Sequence, residues 1–70
     1  MDKKIYTTGE FAKKAGVSVR TIRYYDKQGI LKPSHLSESG YRLYTDGDFA
    51  KLQKILTLKY LGFSLDEIQE

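Results

Sequence analysis

Four times in 70 residues the chain spells the start of a helix, and this punctuation narrows its possible folds more than any other feature. A helix leaves its first backbone amides unpaired. They are satisfied locally by a Ser, Thr, Asp or Asn side chain at the cap and by an acid three residues on that bonds back to the cap amide. Apolar residues just before the cap and four past it then pack together. Tyr6-Thr7-Thr8-Gly9-Glu10-Phe11 fits at every position, as does Phe63-Ser64-Leu65-Asp66-Glu67-Ile68. Tyr44-Thr45-Asp46-Gly47-Asp48-Phe49 fits with the shorter Asp as the acid; Val17-Ser18-Val19-Arg20-Thr21-Ile22 has the cap and the apolar pair without the acid. The pattern predicts helices starting near residues 8, 19, 46 and 65.

The stops agree with the starts. Gly16 follows Ala15 and closes a first helix of about two turns, with glycine supplying the left-handed residue. Gly29 follows Gln28, Ile30 offers the apolar contact just beyond, and Pro33 blocks a restart. Gly62 after Leu61 ends a third helix of roughly four turns. Between Pro33 and Thr45, Ser37-Glu38-Ser39-Gly40 is turn chemistry and Tyr41-Arg42-Leu43-Tyr44 alternates as a strand does, which predicts a short hairpin. On the third helix Phe49, Leu52, Ile55, Leu56 and Tyr60 form the apolar stripe, with Lys51 and Lys54 on the polar face. The fourth helix has only the residues from Leu65 to Glu70, too few to stand alone, and reads as a helix still running where the sequence stops. The expected fold is mainly α: four helices and one short β-hairpin, in a single domain.

Composition removes several function classes. At 40% hydrophobic and 30% charged, with one Pro, the chain lies in the globular range. It has no cysteine, so disulfides and thiolate metal sites are excluded, and one histidine, His35, cannot by itself anchor a zinc site or a nucleophile–base pair. No metal, no cofactor and no enzymatic activity are expected. The apolar runs are far shorter than the roughly 20 residues that span a bilayer, and Met1-Asp2-Lys3-Lys4 lacks the apolar segment of a secretory signal. A cytoplasmic module without membrane contact is expected.

The charge is lopsided. Residues 1–32 carry eight Lys/Arg against three acids, and residues 33–70 carry four against six. Such asymmetry suggests one surface turned toward a polyanion, although solvated lysines on helix faces produce the same count. Position weighs between them. Two short helices separated by Ala15-Gly16-Val17-Ser18 have the spacing of a helix-turn-helix, whose second helix presents one face to a DNA groove. At 100° per residue, Val19, Ile22 and Asp26 of that helix share one direction. Arg20, Tyr24 and Lys27 point nearly opposite, with Thr21 and Gln28 beside them and Arg23 on a flank. The outward face therefore holds long donors, a hydroxyl and an aromatic ring, groups that reach base edges, thymine methyls and phosphates. The helix start at Ser18, alone in lacking an acid, is open to phosphate.

Each of these residues also has a plainer reading. Arg20, Arg23 and Lys27 read as solvated charges when taken singly. Tyr25 lies nearer the apolar side and is assigned to the core, with its hydroxyl near the surface; Tyr24 is assigned outward. Asp26 pairs locally with Arg23 or Lys27, or ties the helix down. Arg42 is either a solvated strand residue or a contact to phosphate or the minor groove, and His35 is a solvated loop residue.

The whole pattern resembles the DNA-binding domain of the mercury-resistance-regulator (MerR) family. It comprises Thr7-x-Gly9-Glu10-x-Ala12, Gly16-Val17-Ser18-x-x-Thr21-Ile22-Arg23-Tyr24-Tyr25-Asp26, Gly29-Ile30-Leu31-x-Pro33 and Gly40-Tyr41-Arg42-Leu43-Tyr44, continuing through Leu52-Gln53-x-Ile55-Leu56 and Leu61-Gly62-Phe63-Ser64-Leu65-x-Glu67-Ile68. The last third is most similar to the branch of thiostrepton-induced regulators and multidrug-transport activators. The resemblance implies a winged helix-turn-helix over residues 1–70: helix-turn-helix at about 7–28, wing at about 34–45, supporting helices at about 46–61 and 65–70. It implies double-stranded promoter DNA as the partner, read by a dimer whose coiled-coil helix follows residue 70. RNA polymerase would be engaged indirectly, through an effector-controlled distortion of the DNA. Family contacts fall on Arg20, Thr21, Arg23, Tyr24 and Tyr25, on Tyr41 and Arg42 of the wing, and on Lys59. With Ser18 and Lys27 from the outward-face reading, these form the expected DNA-binding set. His35 departs from the Arg that many relatives carry there, and Thr8 from the usual aliphatic residue. Two other function classes are compatible with the residues: an excisionase-like architectural protein that bends DNA, and a protein-interaction module using the Tyr/Arg surface.

Overall fold

The computed structural model describes residues 5–69; the N-terminal Met1 to Lys4 and the expected last helical residue, Glu70, lie outside that range. In chain order the elements are β1 (Ile5–Thr7), α1 (Thr8–Ala15), α2 (Val19–Lys27), β2 (His35–Leu36), β3 (Arg42–Thr45), α3 (Asp46–Tyr60) and α4 (Leu65–Gln69). All four helices begin at the expected caps. Thr7 Oγ1 accepts from the Glu10 amide at 3.2 Å while the Glu10 carboxylate accepts from the Thr7 amide at 2.9 Å. Thr45 and Asp48 exchange the same two bonds, as do Ser64 and Glu67. Ser18 caps α2 alone, accepting from the Thr21 amide at 3.1 Å. Each such cap contributes about 1 kcal/mol.

The sheet is larger than the expected hairpin. β2 and β3 pair antiparallel, His35 opposite Leu43 and Leu36 opposite Arg42. β1 then adds on the far side of β3, with Ile5 opposite Thr45, Tyr6 opposite Tyr44 and Thr7 opposite Leu43. The three residues of β1 are too few to show alternation, and Thr7 doubles as the cap of α1, so only the long-range pairing reveals the strand.

The core holds Phe11 and Ala12 of α1, Ile22 and Tyr25 of α2, Leu31, Tyr44 of β3, and Leu52 and Ile55 of α3. Phe11 is its centre. Its ring stacks on Tyr44 at 4.4 Å and meets Phe49 edge-on at 6.2 Å. Full burial of one such ring is worth about 1.5–3 kcal/mol before specific ring contacts are added. The Lys14 ammonium lies 4.8 Å above the Phe49 ring and 5.5 Å above Tyr6, closing this corner with a cation–π contact.

Three expectations need correction. Tyr60 is not in the α3 stripe but 90% exposed. At 100° per residue it lies about 80° from Leu52, and it sits in the last turn, past the body of the core. Together with Leu61 and Phe63 it leaves an apolar patch exposed at the α3–α4 turn, so α3 and α4 do not bury all their apolar residues. Of the two readings of Asp26, local pairing with Arg23 or Lys27 is absent among the described residues and tying the helix down is the one found: its carboxylate binds Arg42 of β3 and lies 3.8 Å from Lys32 Nζ. Local pairing loses because Asp26 faces inward, 8% exposed, while both neighbours on α2 point to solvent. Val19, placed on the inner side of α2, is 37% exposed at the helix edge.

Candidate nucleic-acid interface

The turn between α1 and α2 sets the angle of α2. Gly16 adopts φ 75°, in the left-handed region, and its amide and that of Val17 bond back to the Lys13 and Ala12 carbonyls at 3.2 and 3.0 Å. Any side chain at Gly16 would have open space but a strained backbone. Chain reversal in three residues lets α2 pack on α1 through Ile22 and Tyr25 and leaves its other side bare. Arg20, Arg23, Tyr24, Lys27 and Gln28 are all exposed there. At the N-terminal end Ser18 and Thr21 hydroxyls share a hydrogen bond of 2.9 Å, and no acid stands in the first turn of α2.

Two clefts flank this bare face. One, about 610 Å³, lies between α2, the segment after it and the wing, and is lined by Arg23, Asp26, Lys27, Lys32 and Arg42. Four cations thus surround one carboxylate. The other, about 340 Å³, is lined by Arg20, Thr21, Tyr24, Tyr25, Lys59 and Leu65. It brings the end of α3 beside α2 and so unites Lys59 with the helix residues. Tyr25 serves two purposes: its ring is 4% exposed and in the core, yet one side of it lines this cleft. Burial pushes its phenol above the usual range, and neighbouring Tyr24, 6.2 Å away ring to ring, adds to the effect.

The wing is held at two levels by buried acids, at its base and nearer its tip. Asp48, 1% exposed, accepts from the Ser34 amide and hydroxyl at 3.1 and 2.8 Å and from the Thr45 amide at 3.0 Å. Asp26 accepts from Arg42 Nε. At the tip Gly40 takes φ 88°, and the Ser37 amide bonds the Tyr41 carbonyl at 2.9 Å. Tyr41 is 72% exposed. Of the ten residues expected from the sequence, nine line the clefts, cap α2 or lie on its outward face, and Tyr41 lies apart on the wing tip. Sequence reasoning missed Lys32, which reaches the first cleft only because the chain turns back after Gly29. Among the described residues no group of His, Cys, Asp or Glu could hold a metal ion, and no helix is long and apolar enough to cross a membrane.

Residues 6–70 match the family described as MerR HTH family regulatory proteins. The chain belongs to this family. The HTH-type transcriptional activator mta of Bacillus subtilis is 49% identical over 65 residues, covering 93% of this chain and 25% of mta. TipA of Streptomyces coelicolor, also a transcriptional activator, is 49% identical over 63 residues, covering 90% of this chain and 25% of its own length. The branch expected from the sequence is therefore the one found. Among solved structures, HiNmlR, a MerR family regulator lacking the sensor domain and bound to promoter DNA, superposes with a TM-score of 0.89 at 41% identity. That match covers 94% of this chain and 52% of the HiNmlR chain. The architecture is the winged helix-turn-helix of MerR proteins, and the chain spans about a quarter of the length of the two activators it matches.

Proposed function

We propose that this chain is the DNA-reading head of a dimeric, effector-responsive transcriptional regulator that binds promoter DNA sequence-specifically and distorts it. One observation carries the reading: the fold gathers the outward residues of α2, Arg42 of the wing and Lys59 of α3 along one side, on two clefts rich in cations. In this reading α2 enters the major groove, with Arg20, Thr21, Arg23 and Tyr24 toward base edges. Lys27, Tyr41, Arg42, Lys59, the edge of Tyr25 and the Ser18 end of α2 meet phosphates. The dimer forms through a helix following residue 70, RNA polymerase is engaged through the distorted DNA, and the protein acts in the cytoplasm without catalysis.

The test is duplex binding as a function of salt. Phosphate contacts release counterions, so log K falls steeply against log salt, by close to one per phosphate neutralised. A flat slope, or binding to a protein partner through the same face, would replace the DNA reading with that of an interaction module.

A further inference from the structure

Asp26 is hard to reconcile with a surface whose only task is to attract phosphate. It puts a carboxylate among Arg23, Lys27, Lys32 and Arg42 and so weakens the field of the cleft. It also removes a charge from water: Asp26 is 8% exposed. Its partners explain its presence. Arg42, sixteen residues away on β3, donates Nε–H to it, and Lys32, in the segment joining α2 to the wing, stands 3.8 Å away. One inward side chain of α2 therefore grips both the strand β3 of the wing and the segment leading to the wing. With Nε committed to Asp26, the guanidinium keeps its four terminal N–H bonds, which have no partner among the described residues, on a side chain 53% exposed. Asp48 secures the base of the wing through Ser34 and Thr45, and the Asp26–Arg42 pair is a second tie nearer the tip, this one to α2.

We propose that Asp26 is a positioning and specificity-determining residue: by holding Arg42 across the cleft it fixes the wing relative to α2, at the expense of bulk attraction for DNA. The inference rests on the DNA-binding reading and assigns a task to a residue that contacts no nucleic acid itself. Correct register of two elements discriminates among sequences, because a side chain on α2 reaches its base edge only when the wing seats at a matching phosphate.

The experiment compares the wild-type chain with Asp26→Ala, Arg42→Ala and the double variant. The probes are a duplex enriched by the wild type from a randomised pool and a scrambled duplex of equal length. Asp26→Ala is expected to bind the scrambled duplex as tightly as wild type or a few-fold tighter, and the enriched duplex at least about tenfold more weakly. In the Arg42→Ala background the Asp26 substitution should change the ratio of the two affinities by less than about twofold. Equal tightening on both duplexes would make Asp26 a mere repulsive charge, and equal weakening on both a mere fold contact; either overturns the proposal. Asp26→Leu, close in shape and without an acceptor oxygen, replaces the alanine variant if circular dichroism shows that one unfolded, with the same outcomes deciding. The Arg42 Nε–H resonance of the free protein is read in parallel and should lose its protection from exchange in Asp26→Ala; unchanged protection also overturns the proposal. A wild-type chain that discriminates but whose Asp26 variants discriminate equally sinks this inference alone, whereas a wild-type chain that binds no duplex sinks the DNA-binding reading beneath it.

Discussion

Arg20 and Lys27 are both exposed cations on α2, yet they should fail differently when removed. Arg20 lines the cleft shared with Tyr24 and Lys59, in the first turn of α2. Arg20→Ala should lower affinity for the preferred duplex by about 1–3 kcal/mol and relax the preference at one base position, measured by binding to single-base variants. Lys27→Ala should weaken all duplexes alike and reduce the salt slope by about one. Tyr25 and Tyr24 are neighbours separated by about 100° of helix rotation, which is why the sequence alone assigns one inward and one outward. Tyr25→Ala should cost roughly 3–5 kcal/mol in urea unfolding, close to the whole stability of a domain this small. Finding it fully folded but unable to bind DNA would place its ring in the groove instead. Tyr44 is 0% exposed and its hydroxyl has no partner among the described residues, so Tyr44→Phe should be neutral or stabilising by about 1 kcal/mol in the same assay.

At the scale of elements, the caps were legible because they are local: cap, acid and apolar pair lie within six residues of one another. Thr45→Ala removes one capping acceptor and should destabilise by about 1 kcal/mol. Asp48→Ala removes the acceptor for the Thr45 amide and for both Ser34 donors, in bonds that are part-buried, and should cost about 1–3 kcal/mol. Hydrogen exchange should show the first variant opening the start of α3 alone and the second also opening the start of the wing. β1 was illegible for the opposite reason. Its partner is β3, some forty residues away, and its residues carry no pattern that distinguishes them from a helix lead-in.

The whole molecule has a pH response that follows from three phenols. Tyr6 is raised above its ordinary value chiefly by its 2.8 Å hydrogen bond to Asp46, and Tyr25 and Tyr44 chiefly by burial. For a group raised in the folded state, the neutral form is the one the fold keeps. Stability is then fully present below pH 10, the unfolded value, and is lost as pH rises from there through the folded values. Thermal melts should be insensitive to these phenols at pH 9 and fall above pH 10, with Tyr44→Phe flattening part of that fall. The oligomeric state is the second expectation at this scale. Most apolar side chains of the four helices meet one core, and among the described residues no seam at heptad spacing remains. The 70 residues alone should be monomeric at micromolar concentration and bind a half-site weakly, since a tethered second head is missing. A stable dimer in sedimentation would assign an interface to the exposed Tyr60, Leu61 and Phe63.

The four helices, their caps and glycine stops, the hairpin, and the outward set on α2 were all determined by the sequence, because each depends on residues within a few positions or on rotation about one helix axis. Tertiary structure decided what depends on distant parts of the chain meeting: β1 against β3, Lys59 beside Arg20, Lys32 in the cleft, and Arg42 on Asp26. The charge on Asp26 shows the division most clearly. Helix rotation places it inward, where an unpaired carboxylate would be costly, so the sequence requires a partner for it. Which cation answers depends on what the packed core brings within reach: with Tyr44 of β3 stacked on Phe11, Arg42 two residues earlier on the same strand meets the carboxylate.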